Sequence, residues 1–156
     1  MTEFTTPIDD RWFEDYPQGA VYEFGETLVT EADIIEFASR YDPQSFHTDL
    51  AAAERGPFGG LAASGWHTAS LMMRMFVDHF LSKVSSLGSP GMDDLRWPRP
   101  VCPGDKLRVR ATIEEARLSK SKPDRGLLRT YLEVFNARDE VVMSLRAVNF
   151  MAVRPK

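Results

Sequence analysis

An aspartate and a histidine, Asp42 and His47, lie five positions apart in the segment YDPQSFHTD. Pro43 keeps the residues around it out of a helix, so we expect an irregular loop from which both side chains reach one small volume. A carboxylate and an imidazole held together can accept one proton and deliver another. Their spacing therefore indicates general acid–base chemistry, although an aspartate before a proline is, in isolation, more typical of a simple turn.

Gly65 begins a long apolar segment, GWHTASLMMRMFVDHFL, shortly after this pair. A helix that begins there presents unpaired backbone amides and the positive end of its dipole to an anion. Glycine also lets another group approach the backbone closely. The position is suited to stabilising negative charge that develops on an oxygen atom during a reaction.

Three helices are predicted around these residues. The first begins near residue 31, with Thr30 as its N-cap, and ends at the Asp42-Pro43 dipeptide. A short helix over 50–55 follows, and we expect Asp49 to cap it rather than to act in catalysis.

The third helix is predicted from Gly65 to about Leu81 and is apolar nearly all round, so we expect it to be buried. One side of it is shared by Leu71, Met72, Met75, Phe76, His79 and Phe80. His67 is expected to pack or hydrogen-bond locally, and His79 to lie on the helix surface or at a contact between two copies.

The period of the apolar residues changes from helical to strand-like after a loop near residues 88–91. Alternating patterns predict strands over 105–116, 128–134 and 141–153, and a shorter strand is predicted over 21–24. A buried helix followed by long antiparallel strands favours an α+β fold with the sheet wrapped around the helix. Residues 1–19 are interpreted as an N-terminal arm and residues 20–156 as one domain.

Composition and charge exclude several classes of function. With 156 residues, 43% of them hydrophobic, the chain fits one domain with a sizeable core. A net charge of −4 without a long basic run argues against nucleic acid or an anionic membrane as partner. Cys102 is the only cysteine, and no apolar signal segment or membrane span is present, so a cytoplasmic location is expected. His47 and Asp49 lack a second ligand cluster, and we expect no metal.

Three separated motifs, YDPQSFHTD, FGGLAASGWHT and WPRPVCPGDKL, occur in an order that resembles the MaoC-like dehydratase family, close to the (R)-specific enoyl-CoA hydratases. The likeness extends over roughly residues 20–153. It implies a hotdog fold, a homodimer, and a lyase that hydrates trans-2-enoyl thioesters or runs the reverse dehydration. On the matched motifs the resemblance makes Asp42 and His47 catalytic and the Gly65 amide the oxyanion donor.

The chain differs from the commonest family pattern at several positions. That pattern has a small residue before the aspartate, an asparagine after it and a histidine before the helix glycine, where this chain has Tyr41, Gln44 after Pro43, and Ser64. Met73 stands where some hydratases have a serine.

Substrate contacts are expected from Ser64 and Trp66, which flank Gly65, and from Arg96 and Trp97 of the RWPRP segment. This rigid segment could border the acyl entrance, or it could instead block further pairing at a sheet edge. Coenzyme A is expected as the carrier of the acyl thioester, or a carrier protein in its place, and no redox cofactor is expected. Cations that could meet coenzyme A phosphates, or could simply be solvated, are Arg96, Arg99, Lys120, Lys122 and Arg125.

Two alternatives to the hydratase remain open at the level of sequence. A hotdog thioesterase also needs an acid and an oxyanion hole, but the acid before the helix together with His47 disfavours it. A non-catalytic module that binds acyl thioesters would retain the pocket without turnover.

Overall fold

A computed structural model describes residues 1–156 of the chain. Its strands are β1 (Val21–Leu28), β2 (Gly91–Arg96), β3 (Lys106–Leu118), β4 (Arg125–Phe135) and β5 (Val141–Ala152). They form one antiparallel sheet in the order β1-β3-β4-β5-β2. Together with the helices this confirms the predicted α+β class and the predicted strands, of which β1 is longer than expected.

The helices are α1 (Glu31–Tyr41), α2 (Ser45–Thr48), α3 (Leu50–Glu54) and α4 (Gly65–His79). Thr30 caps α1 by accepting from the Asp33 amide at 3.1 Å, and Asp49 caps α3 by accepting from the Ala52 amide at 2.8 Å, as predicted. The prediction that residues 43–49 form only an irregular loop is wrong, because α2 makes one helical turn there. Pro43 ends α1 but does not prevent a new helix from starting at Ser45.

α4 packs against the sheet with one face, which carries Met72, Met75 and Phe76 at 3% exposure or less. Alternate side chains of β3, such as Leu107 and Val109, are fully buried beneath it. The prediction that α4 is buried all round is wrong, since Met73, Val77 and the first-turn Trp66 are exposed in the single chain. Because α4 lies on one face of the sheet, it packs against other parts of the chain on one side, and its outer side remains exposed.

β2 was not predicted. Its sequence, GMDDLR, has no alternation of apolar and polar residues because nearly every side chain of this edge strand is exposed. Its pairing with β5 is interrupted between Asp93 and Arg96, and Asp94 has a φ of 55° in the left-handed region. β2 is therefore defined by its pairing with the distant strand β5, which the local sequence pattern does not predict.

The arm of residues 1–19 packs onto the domain. The Thr2 amide donates to the Val21 carbonyl at 2.7 Å, and the Phe4 ring stacks on Tyr22 with centroids 3.9 Å apart. Tyr16 is buried, and its hydroxyl donates to the Phe80 carbonyl at 2.7 Å. None of the helices has both the length and the hydrophobicity needed to cross a lipid bilayer.

Candidate active site

The end of α1 and the single turn of α2 bring Asp42 and His47 together. Asp42 is the C-cap of α1, where its φ of −152° takes the chain out of the helix. Five residues later His47 is carried by α2, and its Nε2 lies 3.4 Å from Asp42 Oδ2. The Asp42 side chain is 19% exposed and the His47 side chain 7% exposed, so both groups are largely shielded from solvent but accessible to a small molecule. The predicted convergence of the pair is therefore present in the structure.

A hydrogen bond to the backbone fixes the orientation of the His47 ring. Nδ1 lies 2.6 Å from the Ala62 carbonyl oxygen, and because a carbonyl can only accept, Nδ1 carries the hydrogen. In the neutral imidazole Nε2 is then an unprotonated acceptor. His47 thus places a basic lone pair beside the Asp42 carboxylate.

Both oxygens of the Asp42 carboxylate accept hydrogen bonds. Gln44 Nε2 donates to Oδ1 at 2.7 Å, and Ser64 Oγ donates to Oδ2 at 2.8 Å. Burial by itself raises the pKa of Asp42, but these two hydrogen bonds, together with the positive charge of His47 when that ring is protonated, outweigh it and hold the pKa below its usual value. Asp42 is therefore an ionised, oriented carboxylate at neutral pH.

Gly65 presents a free amide at the start of α4. Neither the Gly65 nor the Trp66 N–H has an acceptor within the protein, whereas the next two amides bond to the Ser64 carbonyl. The indole of Trp97 lies directly over Gly65, and its Nε1 donates to the Gly65 carbonyl at 3.1 Å. A β-carbon at position 65 would overlap the Trp97 ring, so only glycine fits beneath it.

Asp42, His47 and Gly65 line one cavity of about 320 Å³. Trp66 and Trp97, both predicted as substrate contacts, also line it, and their rings meet edge to face at 5.3 Å. The RWPRP segment contributes residues 97–100 to the wall of the cavity.

The other two predicted substrate contacts do not line this cavity. Ser64 is fully buried and directs its hydroxyl to Asp42, because the residue before α4 lies beneath the carboxylate rather than beside the opening. Arg96 is exposed at the end of β2. Of the predicted phosphate-binding cations only Arg99 lines the cavity, where it is 3.3 Å from Glu140. Arg125 instead pairs with Asp124, and Lys120 and Lys122 lie in the β3–β4 turn.

The contacts of Gln44 and Ser64 with Asp42 were missed by the sequence analysis. Gln44 is two positions from Asp42 and carries an amide donor, so its contact had a local signal. Ser64 is 22 positions away, and only the fold reveals that it meets the carboxylate.

Other reactive side chains lie outside the cavity. His67 is buried and stacks on Phe37 at 4.8 Å, and burial lowers its pKa. His79 is exposed and stacks on Phe24, which fits the predicted surface position. Burial, and then Asp105, raise the pKa of the Cys102 thiol, the opposite of an activated cysteine. No group of three or more His, Cys, Asp or Glu side chains is arranged to hold a metal ion.

Most of the chain matches a known protein family. The model of a family described as "MaoC like domain" matches residues 14–131. A curated 3-hydroxyacyl-thioester dehydratase of Mycobacterium tuberculosis is 30% identical over 87 residues, which is 54% of this chain and 58% of that protein.

Two solved structures resemble the whole chain. A MaoC-like dehydratase from Rhodospirillum rubrum is 38% identical, covers 94% of this chain and 99% of its own, and superposes with a TM-score of 0.88. The unliganded (R)-hydratase of Pseudomonas aeruginosa is 26% identical, covers 92% of this chain and 86% of its own, and has a TM-score of 0.73. The expected architecture, a long helix against a curved antiparallel sheet, is thereby confirmed.

Proposed function

Because the chain belongs to the MaoC-like domain family and has the hotdog fold, we propose that it is a hydro-lyase that adds water reversibly to a trans-2-enoyl thioester and gives a 3-hydroxyacyl thioester. The observation that carries this proposal is the placement of the Asp42–His47 pair and the free Gly65 amide around one cavity. The names of the dehydratase and hydratase relatives support it.

The reaction needs three groups, and the cavity has a candidate for each. A water molecule that donates hydrogen bonds to Asp42 Oδ2 and His47 Nε2 loses a proton to the pair as its oxygen bonds to C3 of the enoyl group. The electrons of the double bond move to the thioester oxygen, and the Gly65 N–H stabilises the enolate. A proton from the pair then goes to C2, so the pair returns to its starting state.

The acyl group is carried on coenzyme A or on a carrier protein, and either presents a phosphopantetheine arm. Arg99 is the cation at the cavity that could meet its phosphates. Arg99 is ion-paired with Glu140 in the free protein, so phosphate would have to compete with that carboxylate. Hydration involves no net oxidation or reduction, and the proposal includes no redox cofactor.

We also propose that two copies associate through β2. This strand pairs with β5 on one side only, and its outer edge is open. Beside that edge Met92 and Leu95 join the exposed flank of α4, including Met73 and Trp66, in an apolar groove of about 460 Å³. An open strand edge can pair with the same edge of a second copy across a two-fold axis, and the apolar groove beside it would be buried in the same contact.

The experiment follows loss of the conjugated-thioester absorbance with crotonyl-CoA and with a longer trans-2-enoyl-CoA, while free thiol is assayed in parallel. Wild-type protein is compared with Asp42→Asn and His47→Ala. Matched controls are Asp49→Asn, which replaces a nearby exposed acid by another good N-cap, and His79→Ala, which removes an exposed histidine.

A hydro-lyase is expected to consume absorbance without releasing thiol, and Asp42→Asn should lose at least 100-fold in rate while still binding substrate. Both controls should retain nearly full rate. Thiol release that depends on Asp42 would indicate the thioesterase instead. Binding without turnover on any enoyl thioester, unaffected by Asp42→Asn, would indicate the non-catalytic binding module.

A further inference from the structure

Two helices of this protein begin without the usual side-chain cap. An N-cap residue normally accepts a hydrogen bond from an amide in the first turn of its own helix, as Thr30 does for α1 and Asp49 does for α3. Gln44 and Ser64 hold the equivalent positions before α2 and α4, and neither side chain makes such a bond. Serine is among the most favoured N-cap residues, so its failure to cap α4 requires an explanation.

The side chains of both residues bond to Asp42 instead. Gln44 donates to one carboxylate oxygen at 2.7 Å and Ser64 donates to the other at 2.8 Å. Ser64 has no exposed surface, so its hydroxyl must find its hydrogen-bond partner within the protein, and that partner is Asp42.

The backbones of the same two residues connect Asp42 to the remaining site groups. The Gln44 carbonyl accepts from the amide of His47 at 2.9 Å, which fixes the start of α2. The Ser64 carbonyl accepts from the amides of His67 and Thr68 at 2.9 and 3.1 Å, which fixes the start of α4. Each residue therefore joins the carboxylate to a helix that carries another group of the site.

The missing cap on α4 also leaves amides available. A capping hydroxyl at Ser64 would accept from the amide of Trp66 or His67. With the hydroxyl turned toward Asp42, the Trp66 amide remains unpaired at the cavity, next to the Gly65 amide, which a capping hydroxyl would not engage. One rotamer of Ser64 thus both orients the acid and leaves a second unpaired amide, that of Trp66, beside the proposed oxyanion donor.

We propose that Gln44 and Ser64 are positioning residues that fix the orientation of the Asp42 carboxylate relative to His47 and to the unpaired amides at the start of α4. The inference rests on the proposed function, since it assigns these residues to the same reaction. Neither residue contacts the reacting atoms. They act through Asp42, so their loss should lower kcat more than it raises KM.

The charged groups around Asp42 are few. From α2, His47 faces it. Arg40 and Tyr41 precede it on α1 and are exposed, and Arg99 lines the same cavity but is paired with Glu140. Because hydrogen bonds from Gln44 and Ser64 are the main influences that lower the pKa of Asp42, removing either donor should raise that pKa toward or above its usual value.

The test is a pH titration of the Asp42 carboxyl by ¹³C NMR in the free protein, with the resonance assigned by its loss in Asp42→Asn. Ser64→Ala and Gln44→Ala are each expected to raise the midpoint, and the double variant to raise it further. On an enoyl-CoA substrate each single variant should lose about tenfold or more in kcat, with KM changed less than threefold.

Thr30→Ala is the matched control, because it removes an N-cap hydroxyl that bonds only to its own helix. It should lower Tm by about 2–4 °C and leave the Asp42 titration and kcat unchanged. Gln44 is exposed, so Gln44→Ala still tests the proposal if Ser64→Ala does not fold.

An unchanged midpoint in both variants overturns the proposal, and so does a raised midpoint with unchanged kcat. The titration needs no substrate. A failure of the hydro-lyase assignment, seen as absent turnover in wild type, is therefore distinguishable from a failure of the positioning role.

Discussion

The contact between Gly65 and Trp97 joins two parts of the site that are far apart in sequence. The indole covers the glycine and donates to its carbonyl at 3.1 Å, so the ring contacts the same residue that carries the free amide. The orientation of the proposed oxyanion donor therefore depends on the RWPRP segment as well as on α4.

Gly65→Ala is expected to lower kcat about 10- to 100-fold, because the added methyl group forces the indole or the helix start to move and displaces the amide. It should also lower Tm. In the background of Trp97→Ala, which removes the obstructing ring, Gly65→Ala should lower Tm much less. Thermal scans and steady-state kinetics on the four proteins of this cycle measure both effects. Equal Tm losses in the two backgrounds would contradict the steric explanation.

The two principal side chains of the site could be predicted from sequence because their relation is local. Asp42 and His47 are five residues apart, and a turn near Pro43 is enough to bring them together. The Ser64 bond to Asp42 and the Trp97 cover over Gly65 span 22 and 32 positions. Neither could be predicted, since such contacts depend on how α1, α4 and the segment after β2 pack.

At the scale of elements, the C-terminal end of α4 is fixed by a residue from the arm. Arg11 is 5% exposed and donates through Nη1 to the carbonyls of His79 and Phe80 at 3.1 and 3.0 Å. Its guanidinium also lies 3.4 Å from the centroid of the Phe4 ring. A cation at this position satisfies carbonyls that the helix leaves unpaired and interacts favourably with the helix dipole.

Arg11→Ala should therefore reduce the free energy of unfolding by about 2–3 kcal/mol, since the buried carbonyl of Phe80 and the partly buried carbonyl of His79 lose a charged donor. The matched control is Arg74→Ala on the same helix, whose partner Asp78 is four residues away on the surface. That change should leave the free energy of unfolding nearly unchanged, because an exposed ion pair within one helix contributes little. Urea unfolding of the two variants measures the difference, and similar midpoints would rule out the anchoring role of Arg11.

Elements buried on one face were predictable, and elements without such a face were not. β3, β4 and β5 alternate between buried and half-exposed residues along most of their length, and their sequences show the same period. α2 is a single turn, too short for any period, and β2 is exposed on both faces. The overestimate of burial for α4 has a related cause, because the apolar residues on its outer flank face no layer within the chain.

At the scale of the molecule, that outer flank and the open edge of β2 form one continuous surface. Met73 and Val77 of α4 and Met92 of β2 are all exposed, although each is a large apolar residue. A surface of this kind is costly to leave in water and typical of an interface. Because Trp66 lines both the groove on this surface and the cavity that holds Asp42 and His47, association here would reach the proposed active site.

Met92→Glu is expected to convert a dimer into monomers and to lower the activity per chain, because it places a charge in the apolar groove beside Asp93 and Asp94. Leu118→Glu is the matched control, since Leu118 is another exposed apolar residue, at the C-terminal end of β3, and does not line the groove. It should leave both association and rate unchanged. Sedimentation velocity across a dilution series, with activity measured at the same concentrations, tests the prediction. Full activity from a wild-type protein that sediments as a monomer would show that the second copy is not needed and that the groove serves another purpose.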